Sequence, residues 1–201
     1  MKIVFVGGGT MAQAIISSLI SSNKKFEITV SDPILKVRNE IKKKFGLFVT
    51  DNNLLAIKNS DLIILCIKPQ NFKIVANEIY GKITNDQTIV SIMAGININT
   101  ISKAISTMKI IRIMPNTPAQ IGKGISAWNS TLQVSKESKL AVKEILGVLG
   151  DEIEVNEEKY IDMATAISGS GPAYVFLFIE FLQKVGKETG LPNDKIKQLV
   201  I

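Results

Sequence analysis

The chain has 201 residues, of which 46% are hydrophobic and 21% charged, and a net charge of +6. That balance excludes a disordered chain and suits one ordinary domain plus part of another. There is no histidine and only one cysteine, Cys66, which excludes Ser-His-Asp and Cys-His catalysis, helical zinc-hydrolase motifs and an internal disulfide framework. What remains is chemistry that a cofactor can carry, such as hydride transfer.

The first apolar run, Ile3-Val4-Phe5-Val6, stops at Gly7, so no leader is read there. It predicts a strand running into Gly7-Gly8-Gly9-Thr10-Met11-Ala12. A helix follows from residue 11 to 22, with apolar spacing at Ala14, Ile15, Ile16, Leu19 and Ile20. In such a dinucleotide-binding corner Gly7 permits the tight turn and Gly9 removes a Cβ that would block a pyrophosphate. Ala12 lets helix and strand pack closely, and the phosphates meet free helix N–H groups. A second strand over 27–30 ends at Ser31-Asp32. Asp32 stands about 20 residues past the glycines, where a carboxylate accepts from ribose hydroxyls.

Residues 35–44 predict a helix with Ile34, Val37 and Ile41 as its apolar stripe and Lys36, Arg38, Lys42, Lys43 and Lys44 on a solvated face. No aromatic residues interleave with those charges and no reader motif accompanies them, so no nucleic-acid partner is expected. Further strands are predicted over 62–67, 88–93, 110–114, 124–128 and 152–155, with a weaker one over 47–49. Helices are predicted over 53–58, 72–80, 100–106 and 137–149. Cys66 lies in the apolar run Leu62-Ile63-Ile64-Leu65-Cys66-Ile67 and reads as a core thiol rather than a nucleophile.

After Asn156 no strand is predicted, and 161–188 reads as helical with a break or kink at Ser168-Gly169-Ser170-Gly171-Pro172. Its run from Tyr174 to Leu182 is apolar on nearly every face, which implies burial on several sides or an intersubunit contact. Only one short further helix, over 194–201, follows it. The longest apolar stretch, 173–179, falls short of the roughly 18 residues of a membrane span. The expectation is therefore an α/β fold: a Rossmann-type doubly wound, mostly parallel sheet over 1–156, then the start of an all-helical domain over 157–201. A cytoplasmic location without membrane contact goes with it.

In such a sheet ligands sit beyond the carboxyl ends of the strands. Three loops are placed there: Ile67-Lys68-Pro69, Met93-Ala94-Gly95 and Met114-Pro115-Asn116-Thr117-Pro118-Ala119. Lys68 could meet phosphate or ribose, or be a surface charge at a strand end. Ala94 and Gly95 permit close approach of a nicotinamide. Asn116 offers an amide that both donates and accepts, or serves as a turn residue between prolines.

Together with the glycine opening, Ser91-Ile92-Met93-Ala94-Gly95, Met114-Pro115-Asn116-Thr117-Pro118 and Ser168-Gly169-Ser170-Gly171-Pro172-Ala173-Tyr174 resemble the 1-pyrroline-5-carboxylate reductase family over the whole chain. The resemblance implies reduction of a cyclic imine to L-proline, the last step of proline synthesis, with NADH or NADPH as hydride source. It implies that Gly7, Gly9, Thr10 and Met11 line the pyrophosphate loop, that Ser31, Asp32 and Pro33 face the adenosine ribose, and that Asn53, Lys68 and Ala94 touch the cofactor. It places Asn116 near nicotinamide and substrate as the candidate catalytic group. It also makes Ser168, Gly169, Ser170 and Gly171 the start of a helix whose free backbone donors could hold a carboxylate; helix packing is the other reading of those glycines.

The Asp32 carboxylate would repel a ribose 2′-phosphate, which argues for NADH, although Lys36 or Arg38 could offset the repulsion. No metal is expected. Family members carry a further helical region with a Ser-Pro-Gly-Gly segment and a nearby threonine, so the chain reads as the front part of a longer protein that forms a homodimer or higher homo-oligomer through its helical domain. Two alternatives stay open. One is a nucleotide-binding remnant without turnover; the other is a β-hydroxyacid-type dehydrogenase with Lys184 or Lys187 as its lysine.

Overall fold

The computed structural model describes residues 1–22 and 25–201. Its eight strands form one sheet in the order β3-β2-β1-β4-β5-β6-β7-β8. They are β1 (Lys2–Val6), β2 (Glu27–Ser31), β3 (Phe48–Thr50), β4 (Leu62–Leu65), β5 (Thr88–Ser91), β6 (Ile110–Met114), β7 (Gly124–Ser130) and β8 (Gly150–Glu154). Every neighbouring pair is parallel except β6 and β7. The nine residues between those two hold only a 3₁₀ turn, Thr117–Ile121, and are too short for a crossover of a dozen or more residues. Hence β7 runs back.

Alternation along the strands builds two cores, one on each side of the sheet. Ile3, Phe5, Leu62, Ile64, Val90 and Ile111 pack with α1 (Thr10–Ser21) and α2 (Leu35–Phe45). Val4, Val6, Ile63, Leu65, Ile89 and Ile110 face the other way, against α3 (Asn53–Ile57), α4 (Phe72–Ile79) and α5 (Ile98–Ile105). The helix α6 (Lys136–Gly147) joins the first core through Val142, Ile145 and Leu146. The expected doubly wound arrangement is what forms.

Local chemistry accounts for the shifted ends. Asn97 accepts from the Thr100 N–H, so α5 starts at Ile98 rather than at residue 100. Strand β4 ends at Leu65 rather than at residue 67, and β5 at Ser91 rather than at residue 93, because both chains turn into the loops at the ligand-facing edge. Gly150 extends β8 two residues earlier than expected by pairing with Gly124.

The helical segment departs further from expectation. It begins with α7 (Lys159–Ala164) and ends with α8 (Gly171–Glu188) and α9 (Asn193–Val200). Residues Ser168 to Pro172 do not break the helix. A π turn, Thr165–Gly169, carries the chain from α7 into α8, and Ser170 N donates to Thr165 O at 2.8 Å. Pro172 is accommodated at the first turn of α8, where its missing N–H costs nothing. The joined helix Lys159–Glu188 is therefore long and apolar enough by length and composition to cross a membrane, which the run of seven apolar residues alone does not suggest. Ile196 of α9 packs against Gly186, where an added Cβ would lie 2.9 Å from Ile196 Cγ2.

Candidate functional site

The strand order reverses between β1 and β4, and the crevice beyond their carboxyl ends is where this fold takes ligands. The three glycines there do three different things. Gly7 has φ +94°, and a Cβ on it would lie 2.6 Å from the Cys66 carbonyl oxygen, so it brings the β1 end against the β4 end. At Gly8 a Cβ would lie 2.5 Å from Ile41 Cδ1, so this glycine admits α2. Gly9 has nothing within 4 Å of its Cβ position and opens on free space.

Gly9 also caps α1 with extended backbone and no side-chain hydrogen bond, and no acidic residue lies in the first turn. The first amides of α1 therefore point outward from an uncapped helix end. Thr10 is exposed and Met11 half-buried beside them, while Ala12 is fully buried as close packing requires. An exposed glycine cradle at a helix N-terminus fits a pyrophosphate. These residues suit a dinucleotide.

At the ribose end Asp32 is 7% exposed, and both its carboxylate oxygens are engaged. Oδ2 accepts from Gly8 N at 2.8 Å and Oδ1 from Ile34 N at 2.8 Å. The expected ribose acceptor is thus also the brace of the glycine loop. Arg38 donates from Nη1 to the Asp32 carbonyl oxygen at 2.7 Å and pairs through Nη2 with Asp51 at 3.3 Å. Its guanidinium is committed within the protein. Ser31 is buried, and its Oγ has no partner, which leaves a donor and acceptor unused beside the loop.

The other candidates line the same strand-end edge. Lys68 is exposed at the start of a 3₁₀ turn, and Ala94 is exposed on the loop after β5. Asn53 begins α3 and donates to Glu78 Oε2 at 2.8 Å. Asn116 is 9% exposed, and its Oδ1 accepts from Ile125 N at 3.0 Å, so this oxygen fixes the turn onto β7 and the amide NH₂ is what it can still offer. Cys66 is half-buried against the core, and burial pushes its thiol well above its ordinary ionisation range, as a structural cysteine requires. Among the described residues no group of His, Cys, Asp and Glu is arranged to hold a metal.

The substrate segment corrects the expectation of a fresh helix start. Ser168 Oγ donates to Ala164 O at 3.0 Å and Ser170 Oγ to Thr165 O at 3.0 Å, so both hydroxyls close the π turn. Ala173 N is taken by Ser170 O, and Pro172 has no N–H. Gly169 instead permits a contact: its Cβ position lies 2.9 Å from Met114 Cε, which seats the π turn on the end of β6. One buried charge is not anticipated by the sequence patterns. Arg112, 1% exposed, pairs with Glu158 at 2.9 Å and with Asp162 at 2.5 Å. A lone charge inside Ile110-Ile111-Arg112-Ile113-Met114 was the available signal.

The family model described as "Pyrroline-5-carboxylate reductase dimerisation" matches residues 158–201, and the one described as "NADP oxidoreductase coenzyme F420-dependent" matches residues 2–95. The pyrroline-5-carboxylate reductase of Corynebacterium melassecola is 35% identical over 99% of this chain and 75% of its own length. The chain belongs to the pyrroline-5-carboxylate reductase family. The Staphylococcus epidermidis reductase is likewise 35% identical over 100% of this chain and 75% of its own length. Among solved structures, the Streptococcus pyogenes reductase superposes with a TM-score of 0.89 at 35% identity, covering 100% of this chain and 75% of that one. The Plasmodium falciparum reductase, solved with NADP bound, gives 0.86 at 31% identity, covering 100% and 74%. The chain thus spans about three quarters of these pyrroline-5-carboxylate reductases.

Proposed function

We propose that the protein reduces 1-pyrroline-5-carboxylate to L-proline with a reduced nicotinamide cofactor, as an oxidoreductase of proline biosynthesis. The observation that carries this is the open Gly9 cradle on the uncapped α1, in a chain of the pyrroline-5-carboxylate reductase family. When bound, the cofactor supplies a hydride for the C=N carbon. A protonated imine is already electrophilic, so the chain needs no histidine. Its task is to hold ring and nicotinamide in near-attack geometry and to exclude water.

In this reading Gly7, Gly9, Thr10 and Met11 hold the pyrophosphate, Ser31 and Asp32 the ribose, and Asn53, Lys68 and Ala94 flank the cofactor. Asn116 points its amide toward the reacting groups, and the turn from Ser168 to Gly171 borders the imine site. NADH is the preferred form. Asp32 is negative where a 2′-phosphate would sit, and Arg38, the nearest guanidinium, is held by Asp51 and the Asp32 carbonyl. Lys36 is exposed and is the remaining cation of the pair.

The division is a cofactor domain over 1–156 and a helical unit over 157–201 that assembles with a second copy. On α8 the side chains Phe176, Leu177, Phe178 and Phe181 are 61–65% exposed, and covering each fully is worth about 1.5–3 kcal/mol. The match of this segment to a reductase dimerisation family supports a homo-oligomeric contact rather than a membrane span. The enzyme is read as soluble and cytoplasmic.

The test is proline formation from 1-pyrroline-5-carboxylate with NADH and NADPH supplied separately. Proline appearing faster with NADH is the expected result. Absence of proline with either cofactor would overturn the assignment, and faster turnover with NADPH would overturn the reading of Asp32.

A further inference from the structure

We infer that Arg112 is a positioning residue, tying the sheet to the helical segment so that the π turn keeps its register against the loop after β6. This rests on the imine-reductase reading above. On β6, Arg112 points to the same side as Ile110, where alternation calls for an apolar side chain, yet it is almost completely buried. Nη1 donates to Glu158 Oε1 at 2.9 Å and Nη2 to Asp162 Oδ1 at 2.5 Å. Nε has no partner, so its polar hold rests on those two acids.

The same Glu158 oxygen also accepts the Ile98 N–H at 2.7 Å. One carboxylate therefore joins β6, the start of α5 and the approach to α7. Each arm leads to the reaction edge. Ile98 follows the Ala94-Gly95 loop by a few residues. Asp162 lies within α7, which runs into the π turn, Thr165–Gly169. That turn meets Met114 through Gly169, two residues beyond Arg112 on the same strand and two before Asn116.

An apolar contact at residue 112 would hold these parts together but allow them to slide. A planar guanidinium forked between two carboxylates fixes direction as well as distance. The pyrophosphate corner at Gly7 to Gly9 lies on other strands and has no part in this network. Loss of the clasp is therefore expected to fall mainly on the imine step, while the pyrophosphate hold at Gly7 to Gly9 stays in place.

The experiment compares Arg112→Lys, Glu158→Gln and Asp162→Asn in the intact protein by steady-state kinetics on the imine and by NADH titration. For Arg112→Lys and Glu158→Gln, kcat/KM for the imine is expected to fall about 10–100-fold, the scale of a misplaced reactant. Asp162→Asn is expected to give a smaller fall, and in all three the NADH Kd stays within about twofold. Asp162 is 60% exposed, so its variant folds even if the buried Arg112→Lys does not. Unchanged imine kinetics in Glu158→Gln and Asp162→Asn would overturn the inference. So would an NADH Kd that weakens in step with kcat/KM. A wild-type protein inactive on the imine would overturn the functional reading, and this inference with it.

Discussion

The sheet domain and α8 are both rich in apolar side chains, but they use them in opposite ways. Strands β1 and β4 bury Ile3, Phe5, Leu62 and Ile64 at 2% exposure or less, while on α8 Phe176, Phe178 and Phe181 stay above 60% exposed. The first region closes its core within one chain. The second leaves its apolar side chains uncovered. The difference shows that hydrophobicity sets how much area must leave water, whereas periodicity and neighbours set which molecule covers it.

Substitution on each side separates the two regions. Ile64→Ala, at 2% exposure, is expected to cost about 2–5 kcal/mol in denaturant unfolding, because it leaves a cavity in a closed core. Gly7→Ala is expected to cost about 1–3 kcal/mol by the same measurement: φ is positive there and the Cys66 carbonyl blocks the added methyl. On the other side, Phe178→Glu should leave NADH binding intact while sedimentation reports a smaller assembly. An oligomer unchanged by that substitution would place the contact elsewhere.

A smaller effect concerns Asp32. Replacing it with Asn keeps one acceptor for the Gly8 and Ile34 amides but turns an NH₂ toward the other, at an expected cost of about 1–3 kcal/mol. With the charge gone, the ratio of NADPH to NADH affinity should rise about tenfold in parallel titrations. The smallest effect is at Cys66, whose thiol should label slowly with a disulfide reagent in the native protein and rapidly in denaturant, since burial disfavours the thiolate.

How much of this was legible in the sequence follows from what each feature depends on. The strands from Ile3, Leu62 and Ile110 were readable because apolar runs between turn residues leave few other choices. The open backbone at Gly9 was readable from its place in a strand-glycine-helix unit. The turn at Gly7 was readable too, but the neighbours that Gly7 and Gly8 admit were not, because Cys66 and Ile41 lie far along the chain and only folding brings them near. Asp32 was correctly placed at the end of β2, but its bond to Gly8 N needs three-dimensional proximity. The π turn defeated a rule of local chemistry: Gly and Pro usually break helices, and here Ser168 and Ser170 close the wider turn with their hydroxyls. Arg112 carried a visible signal, an unexplained charge in a buried strand, whose partners lie 46 and 50 residues away.

Whether bare backbone at the first helix holds the cofactor is tested most directly by NADH titration of Gly9→Val beside its unfolding curve. NADH binding is expected to be lost while the unfolding free energy stays within about 1 kcal/mol of wild type, since nothing in the protein occupies that space. Undiminished NADH affinity in a folded Gly9→Val protein would contradict it.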